Sequence, residues 1–246
     1  MSLGERRQNF RHPDGSLWIA KFPSKTDRRD VAAWERVYAQ LARGAGIDMP
    51  ATDLLEFPGE RRTYTIKRFD RTAEGRRLYA SALTMTGRSD AALADYLDIA
   101  RAIADNVAPA RIRADLEQMY RRMAFNVLAG NRDDHLRNHG FLRTSDGWRL
   151  APAFDINPAR EMREHATMVN GKPIPTAADV LAARGHFGLS ERQAVEVIRE
   201  VADSVSTWRV AATDAGIPRS QQDDVSAALS ALDTVAGMLS AAQHAG

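Results

Sequence analysis

The sequence has no cysteine, which excludes a disulfide framework and any thiolate metal site. A reducing cytoplasm is the simplest setting for such a chain. No stretch approaches the roughly 20 uninterrupted apolar residues that cross a bilayer, and the N-terminus lacks a secretory apolar core. No membrane partner is expected on that ground. Net charge is small, +2, although the isoelectric point of about 9.1 leans basic. The cations are mostly arginine, whose planar fork suits phosphate. Binding of nucleic acid would call for a concentrated basic stripe with interleaved aromatics. The pairs Arg6-Arg7, Arg61-Arg62 and Arg121-Arg122 are scattered instead, so no direct nucleic-acid contact is expected. Internal repeats and low-complexity linkers are also lacking.

What is present suits a globular protein: 246 residues, 44% hydrophobic and 27% charged, enough for one large core or two lobes that share an interface. Residues 9–12 and 16–22 flank Pro13-Asp14-Gly15 and read as a hairpin. In the second strand Trp18, Ala20 and Phe22 alternate with Leu17, Ile19 and Lys21, so Lys21 ends an otherwise apolar face. The spacing of Val31, Trp34, Tyr38 and Leu41 predicts a helix over 27–43, with Asp27 as its N-cap and Gly44 as its stop. Strand-like runs at 52–57 and 63–68 follow, separated by Pro58-Gly59. Beyond Arg71 the chain turns helical, with alanine-rich amphipathic stretches at 91–105, 112–128, 191–212 and 221–242. One hairpin interrupts them, 140–143 and 148–151 around Ser145-Asp146-Gly147. The expected fold class is α+β and two-lobed: a small β-rich lobe over 1–71 and a larger α-helical lobe over 72–246.

The chemistry concentrates in Asn131-Arg132-Asp133-Asp134-His135-Leu136-Arg137-Asn138. Protein kinases place a catalytic Asp five residues before an Asn on a loop of this kind, the Asp taking the acceptor hydroxyl proton and the Asn ligating magnesium. Asp133 and Asn138 have that spacing; counting back from Asn138 prefers Asp133 to its neighbour Asp134. One hairpin downstream, Leu150-Ala151-Pro152-Ala153-Phe154-Asp155 offers a second magnesium carboxylate, and one Asp with one Asn suffices for that ion. Taken alone, Asp-x4-Asn is a weak motif, because Asp and Asn populate turns for local hydrogen bonding. His135 reads as a structural ring that orients the loop. His135 and His139 are four apart, a zinc-pair spacing on a helix, but this stretch reads as loop running into strand and zinc is not expected.

The fuller string, Asn-x-Asp-x-His-x-x-Asn followed by a hairpin and Pro-Ala-Phe-Asp, resembles the HipA family of serine/threonine kinases. The family pattern has lysine where Arg137 stands and tyrosine where Phe154 stands. Upstream, Trp18-Ile19-Ala20-Lys21-Phe22-Pro23 is similar to the family's ATP-binding lysine strand, and Lys67-Arg68-Phe69-Asp70-Arg71 to its hinge. The resemblance runs in order along nearly the whole chain. It implies a two-lobed protein-kinase-like fold that uses ATP and Mg2+. Lys21 would contact the α/β-phosphates with Glu35 as its ion-pair partner, backbone groups of Lys67 and Phe69 would hold adenine, and Asp70 would lie near the ribose. Asp133, Asn138 and Asp155 would be catalytic, the last two as metal ligands. A protein substrate such as an aminoacyl-tRNA synthetase or another translation component is implied, as is a DNA-binding antitoxin partner.

The sequence departs from the family before the lysine strand. Where the family has a phosphate-covering Gly-Gly-Ala-Arg-Pro-Lys, this chain has Ser2-Leu3-Gly4-Glu5-Arg6-Arg7. Longer members also carry an N-terminal subdomain ahead of this point. A shortened chain, a naturally short or split member and a degenerate paralogue are all consistent with that, and a nucleotide-binding scaffold without turnover stands as the alternative function. Small-molecule phosphotransfer is a further alternative, disfavoured by the hinge and Pro-Ala-Phe-Asp segments.

Overall fold

The computed structural model describes residues 6–24, 26–56, 62–73, 75–89 and 93–244. Residues 2–5 of the segment at 2–7 that stands in place of the phosphate-covering loop, Gly4 among them, and the turn at Pro58-Gly59 lie outside the described residues.

The first hairpin pairs β1 (Arg6–Arg11) with β2 (Leu17–Phe22). Its turn depends on Gly15, whose φ of +83° is costly for residues with a Cβ, and on Asp14, whose carboxylate accepts the Ser16 N–H at 2.8 Å. Helix α1 (Val31–Gly44) begins four residues later than the sequence suggests. Asp30, not Asp27, caps it by accepting the Ala33 N–H at 2.9 Å, while Asp27 accepts the Ser24 N–H at 2.7 Å. Arg62 Nε meets the other oxygen of Asp30 at 2.6 Å, a long-range partner that fixes the choice of cap. Strands β3 (Thr52–Leu55) and β4 (Thr63–Lys67) complete an antiparallel sheet of order β1-β2-β4-β3. Ala32 of α1 packs on Tyr64 and Ile66, with Ile19, Leu54 and Phe154 around them. Helix α1 thus covers the sheet face that carries Lys21.

A small hairpin, β5 (Arg71–Thr72) with β6 (Gly75–Arg76), leads to β7 (Tyr79–Ser81) and the short α2 (Ala82–Met85). Strand β8 (Ala94–Asp95) delays the next helix, α3 (Tyr96–Asn106), which starts at a capping box of Asp95 and Asp98 instead of at residue 91. Helix α4 (Ile112–Leu128) has the predicted bounds. Its Met119, Tyr120, Met123, Phe125 and Leu128 are fully buried and form the centre of the main core. The second hairpin, β9 (Gly140–Thr144) and β10 (Gly147–Leu150), adds β7 to form the order β10-β9-β7. Strand β11 (Thr167–Met168) pairs in parallel with β8, and α5 (Ala177–Ala182) follows.

The predicted helix at 191–212 is two helices, α6 (Glu191–Ser206) and α7 (Trp208–Asp214). Thr207, at φ −81° and ψ 2°, breaks the run and Trp208 turns inward to meet Trp34, with ring centroids 6.3 Å apart. The last predicted helix likewise divides, into α8 (Arg219–Ser226), a 3-10 stretch (Ala227–Thr234) and α9 (Val235–His244), bent at Leu229. Within Arg219–Ala242 the most apolar 18-residue window has a mean hydropathy of 1.4, enough by length and composition alone to cross a membrane. The segment nonetheless carries Arg219, Asp223, Asp224 and Asp233, so it is not an uninterrupted apolar run. Here its Val225, Leu229, Val235 and Met238 are buried in the main core. The architecture is α+β, a β-rich lobe carrying α1 above a larger helical lobe.

Candidate functional site: the cleft between sheet and helical lobe

Strand β2 brings Lys21 to the underside of the sheet, where it is 7% exposed. A buried ammonium must be paired. Its Nζ donates to Glu35 of α1 in a short contact and to Oδ1 of Asp155 at 2.6 Å. Arg7 Nη2 meets the other oxygen of Asp155 at 3.4 Å. Burial works to raise the Asp155 pKa, but the positive charges of Lys21 and Arg7 outweigh it and hold the carboxyl down at about 2. Asp155 stands at φ +59°, a left-handed conformation uncommon outside glycine and most tolerated by Asn and Asp.

Asp133 lies on the loop between α4 and β9. Asn138 Nδ2 donates to the Asp133 carbonyl at 2.9 Å, tying the loop's ends together and leaving the Asn138 amide oxygen available to a cation. Asp134, by contrast, is 1% exposed and faces inward. It accepts from the Tyr96 hydroxyl and, at 3.4 Å, from the Thr167 N–H. Tyr96 in turn accepts from Asn126 Nδ2 at 2.7 Å, and Asn131 Nδ2 donates to Asn126 Oδ1 at 3.0 Å. Asp134 is therefore a buried anchor. The His139 ring packs edge-on to Tyr96; burial holds its pKa down at about 4, so it is neutral.

A cavity of about 120 Å³ collects Lys21, Glu35, Asp133 and Asp155 on its walls, with Arg7, Asn131 and Asn157. A second, of about 580 Å³, shares Asp133 and Asn157 with the first and extends along Arg29 and Arg160. Asp133 thus lies where the two spaces meet. Asn138, Lys67, Phe69 and Asp70 do not line the first cavity. Lys67 ends β4 opposite Trp18, its N–H bonded to the Ala51 carbonyl at 2.8 Å. Phe69 joins Tyr79 and Phe154 in an aromatic cluster, at 6.2 and 5.7 Å between centroids, linking the hinge to the residue before Asp155. The carboxylate expected near the ribose, Asp70, is clamped by Arg68 (2.8 and 2.7 Å) and Arg71 (2.6 Å).

Among the described residues no group of three or more His, Asp or Glu side chains could hold a metal ion. Magnesium asks for less, one or two protein oxygens with phosphate and water completing the octahedron; Asp155 and the Asn138 amide are oxygen donors of that kind, but Asp155 is taken up by Lys21 and Arg7 and Asn138 does not line the cavity that Asp155 lines. The sequence reading gave no role to Asn157, Tyr96 or Thr167, and met Arg7 only as the end of the segment standing where the family has its phosphate-covering loop. Asn131 was visible in the motif, whereas Tyr96 lies 38 residues from Asp134 and carries no local signal.

A Lys–Glu pair under a small sheet, an Asp-x4-Asn loop and an Asp one hairpin later, in two lobes, define a protein-kinase-like fold. The chain belongs to the HipA-like C-terminal domain family, whose model matches residues 3–208. A Haemophilus influenzae protein named "Putative kinase" is 26% identical over 149 residues, 54% of this chain and 43% of that protein. The Sinorhizobium fredii protein named "Putative kinase Y4dM" is 29% identical over 160 residues, 58% of this chain and 37% of that protein. The chain therefore spans about two fifths of the length of the curated relatives it matches. Among solved structures, HipA of Shewanella oneidensis, in a complex with HipB and operator DNA, superposes with a TM-score of 0.73 at 16% identity, over 96% of this chain and 64% of that one. The Helicobacter pylori proinflammatory kinase CtkA gives 0.54 at 15% identity, over 85% and 94%. At these identities the two structures speak for the fold.

Proposed function

We propose that the chain is an ATP- and Mg2+-dependent serine/threonine protein kinase. The observation that carries this reading is the convergence of Lys21, Glu35, Asp133 and Asp155 on one cavity, from segments as much as 134 residues apart. Asp133 would accept the proton of the acceptor hydroxyl as its oxygen attacks the γ-phosphorus and the bond to the β-phosphate oxygen breaks. Placed where the two cavities meet, it can face nucleotide on one side and acceptor on the other. Lys21, held by Glu35, would offset charge on the phosphates, and Asp155 with Asn138 would hold magnesium, which supplies charge neutralisation when bound. Catalysis would come from positioning and fixed charge, since phosphoryl transfer needs little covalent help from a protein.

The Shewanella neighbour's complex with HipB and operator DNA supports a DNA-binding antitoxin as partner. An aminoacyl-tRNA synthetase or another translation component, met in the cytoplasm, is the protein substrate the family resemblance favours. A second reading, nucleotide binding without turnover, is favoured by the sequence ahead of β2, which lacks the family's glycine pair. One experiment separates them. Incubated with magnesium and labelled ATP in lysate, the wild type should transfer label to protein. Asp133→Ala should reduce that by about 100-fold or more, in the range for removing a general base, while still binding ATP. Binding without any wild-type transfer would leave the scaffold reading standing. Equal labelling by the variant would remove Asp133 from its role.

A further inference from the structure

We propose that the groove beside the β5–β6 hairpin is a docking site for an acidic segment of a partner protein. The groove encloses about 400 Å³, and Arg76, Arg77, Leu78 and Arg143 stand on its walls. It shares no wall residue with either cavity described above, so its failure would leave the kinase reading untouched.

Two backbone bonds gather these arginines. The Arg77 N–H donates to the Asp70 carbonyl at 3.0 Å and the Arg143 N–H to the Leu78 carbonyl at 2.9 Å, which lays the turn after the hinge against the end of β9. The Arg143 guanidinium sits 5.9 Å from the Trp148 ring centroid, within cation–π range, and is steadied there. Arg76 opposes Arg71 across the β5–β6 pair, and like charges so placed repel. Arg71 is answered by Asp70 at 2.6 Å. Among the described residues no carboxylate answers Arg76, Arg77 or Arg143, and no wall residue of the groove is acidic. Asp70 is already shared by Arg68 and Arg71, while Asp146 accepts from the Ser145 hydroxyl at 3.0 Å. Glu74 lies outside the described residues. Three cations converging on one groove raise its potential, and an anion entering it is attracted by all three.

The walls favour carboxylates on a peptide over a nucleic-acid backbone. A nucleic acid asks for a longer basic track with aromatic faces for its bases, whereas here the groove is short and Arg143 occupies the Trp148 ring. Leu78, 62% exposed, offers apolar contact instead. One exposed leucine is ordinary by itself. Among arginine stems, which are apolar along their length, it adds an apolar contact to three guanidinium heads. Guanidinium forks take carboxylates in pairs, so the fit is to a segment with acidic residues on both sides of an apolar one.

The test is fluorescence anisotropy of the full chain with a labelled Glu-Glu-Leu-Glu-Glu peptide. Glu-Glu-Ser-Glu-Glu, Lys-Lys-Leu-Lys-Lys and a short single-stranded oligonucleotide serve as comparators. The acidic leucine peptide should bind best, and more weakly as salt rises from about 50 mM to about 500 mM. Arg76→Ala, Arg77→Ala and Arg143→Ala should each weaken it by about two- to fivefold, and the triple variant by about tenfold or more. Leu78→Ser should erase the preference for the leucine peptide over the serine one. Arg143→Lys should keep most of the binding, which separates loss of charge from loss of the contact with Trp148. Arg192→Ala, an exposed arginine of α6 outside the groove, should bind as the wild type does. None of the substituted side chains is buried, so every variant should melt with the wild type. No binding of the acidic peptide by the wild type would overturn the proposal. So would a loss that Arg192→Ala reproduces, or an oligonucleotide that binds more tightly than the peptide through the same three arginines.

Discussion

Asp155 concentrates the site's electrostatics in one side chain. Its φ of +59° holds a non-glycine residue in a sparsely populated region, at a cost of about 1–3 kcal/mol that the surroundings must cover. The cover comes from Lys21 and Arg7, one on each carboxylate oxygen. They hold its pKa down at about 2, below the ordinary aspartate value of 3.8, a depression worth about 2 kcal/mol of folding stability at neutral pH. Because the folded value is the lower one, the unfolded chain takes up the proton first as pH falls. The contribution is complete above about pH 4 and is lost on the way down to about pH 2. Asn tolerates the left-handed region as Asp does, so Asp155→Asn removes charge with little change in backbone preference. Urea unfolding should show the variant less stable by about 2 kcal/mol at pH 7, the difference closing between about pH 4 and pH 2. A difference that persisted unchanged at pH 2 would mean that something other than charge holds Asp155. Lys21 and Asp155 were legible as sequence motifs, although 134 residues separate them. Arg7 was not, since only strand register sets it beside Lys21.

The loop between α4 and β9 is held at element scale by groups from four segments. Helix α3 contributes Tyr96, α4 contributes Asn126, the loop contributes Asn131 and Asp134, and β11 contributes Thr167, whose hydroxyl donates to the Asp134 carbonyl at 2.6 Å. Gly130 lets the loop leave α4. Its φ is +66°, and a Cβ there would stand 2.2 Å from the Ala228 carbonyl oxygen. Tyr96→Phe keeps the ring and deletes the hydroxyl that joins Asp134 to Asn126. Leaving those buried partners short of a bond should cost about 1–3 kcal/mol. It should also lower kcat for the proposed phosphoryl transfer by about tenfold, because Asp133 is next to the loosened anchor and small misplacements are expensive. KM for ATP should hardly move, since Lys21 and the hinge are untouched. A stability loss with kcat intact would make the network structural only. The bounds of α4 and both hairpins were readable from apolar period and turn residues, which act locally. The cap of α1 and the break at Thr207 were not, because Arg62 and Trp34 decide them from elsewhere in the chain.

At the scale of the molecule, α1 belongs to both lobes. One side packs on the sheet through Ala32. The other is bolted to the helical lobe by the Tyr38 hydroxyl on the Ala129 carbonyl and the Ser204 hydroxyl on the Leu41 carbonyl, both at 2.7 Å, and by Trp34 against Trp208. Since α1 also carries Glu35, the Lys21–Glu35 pair is set by packing that reaches α6 and α7, well beyond the cavity wall. In kinases that pair must be in place for turnover; here the helical lobe holds it there. Trp208 does not line the cavity, so Trp208→Ala probes this coupling without touching the site. Removing so large a buried ring should cost about 3–5 kcal/mol, and the slack left beside Trp34 should let α1 shift. ATP affinity, measured at a temperature where the variant is still folded, should fall by about three- to tenfold, corresponding to about 0.7–1.4 kcal/mol of coupling. Trp208→Phe, which keeps a ring against Trp34, should retain most of that affinity. If Trp208→Ala were destabilised yet bound ATP as the wild type does, Glu35 would owe its position to the sheet alone and the two lobes would be energetically separate at this helix.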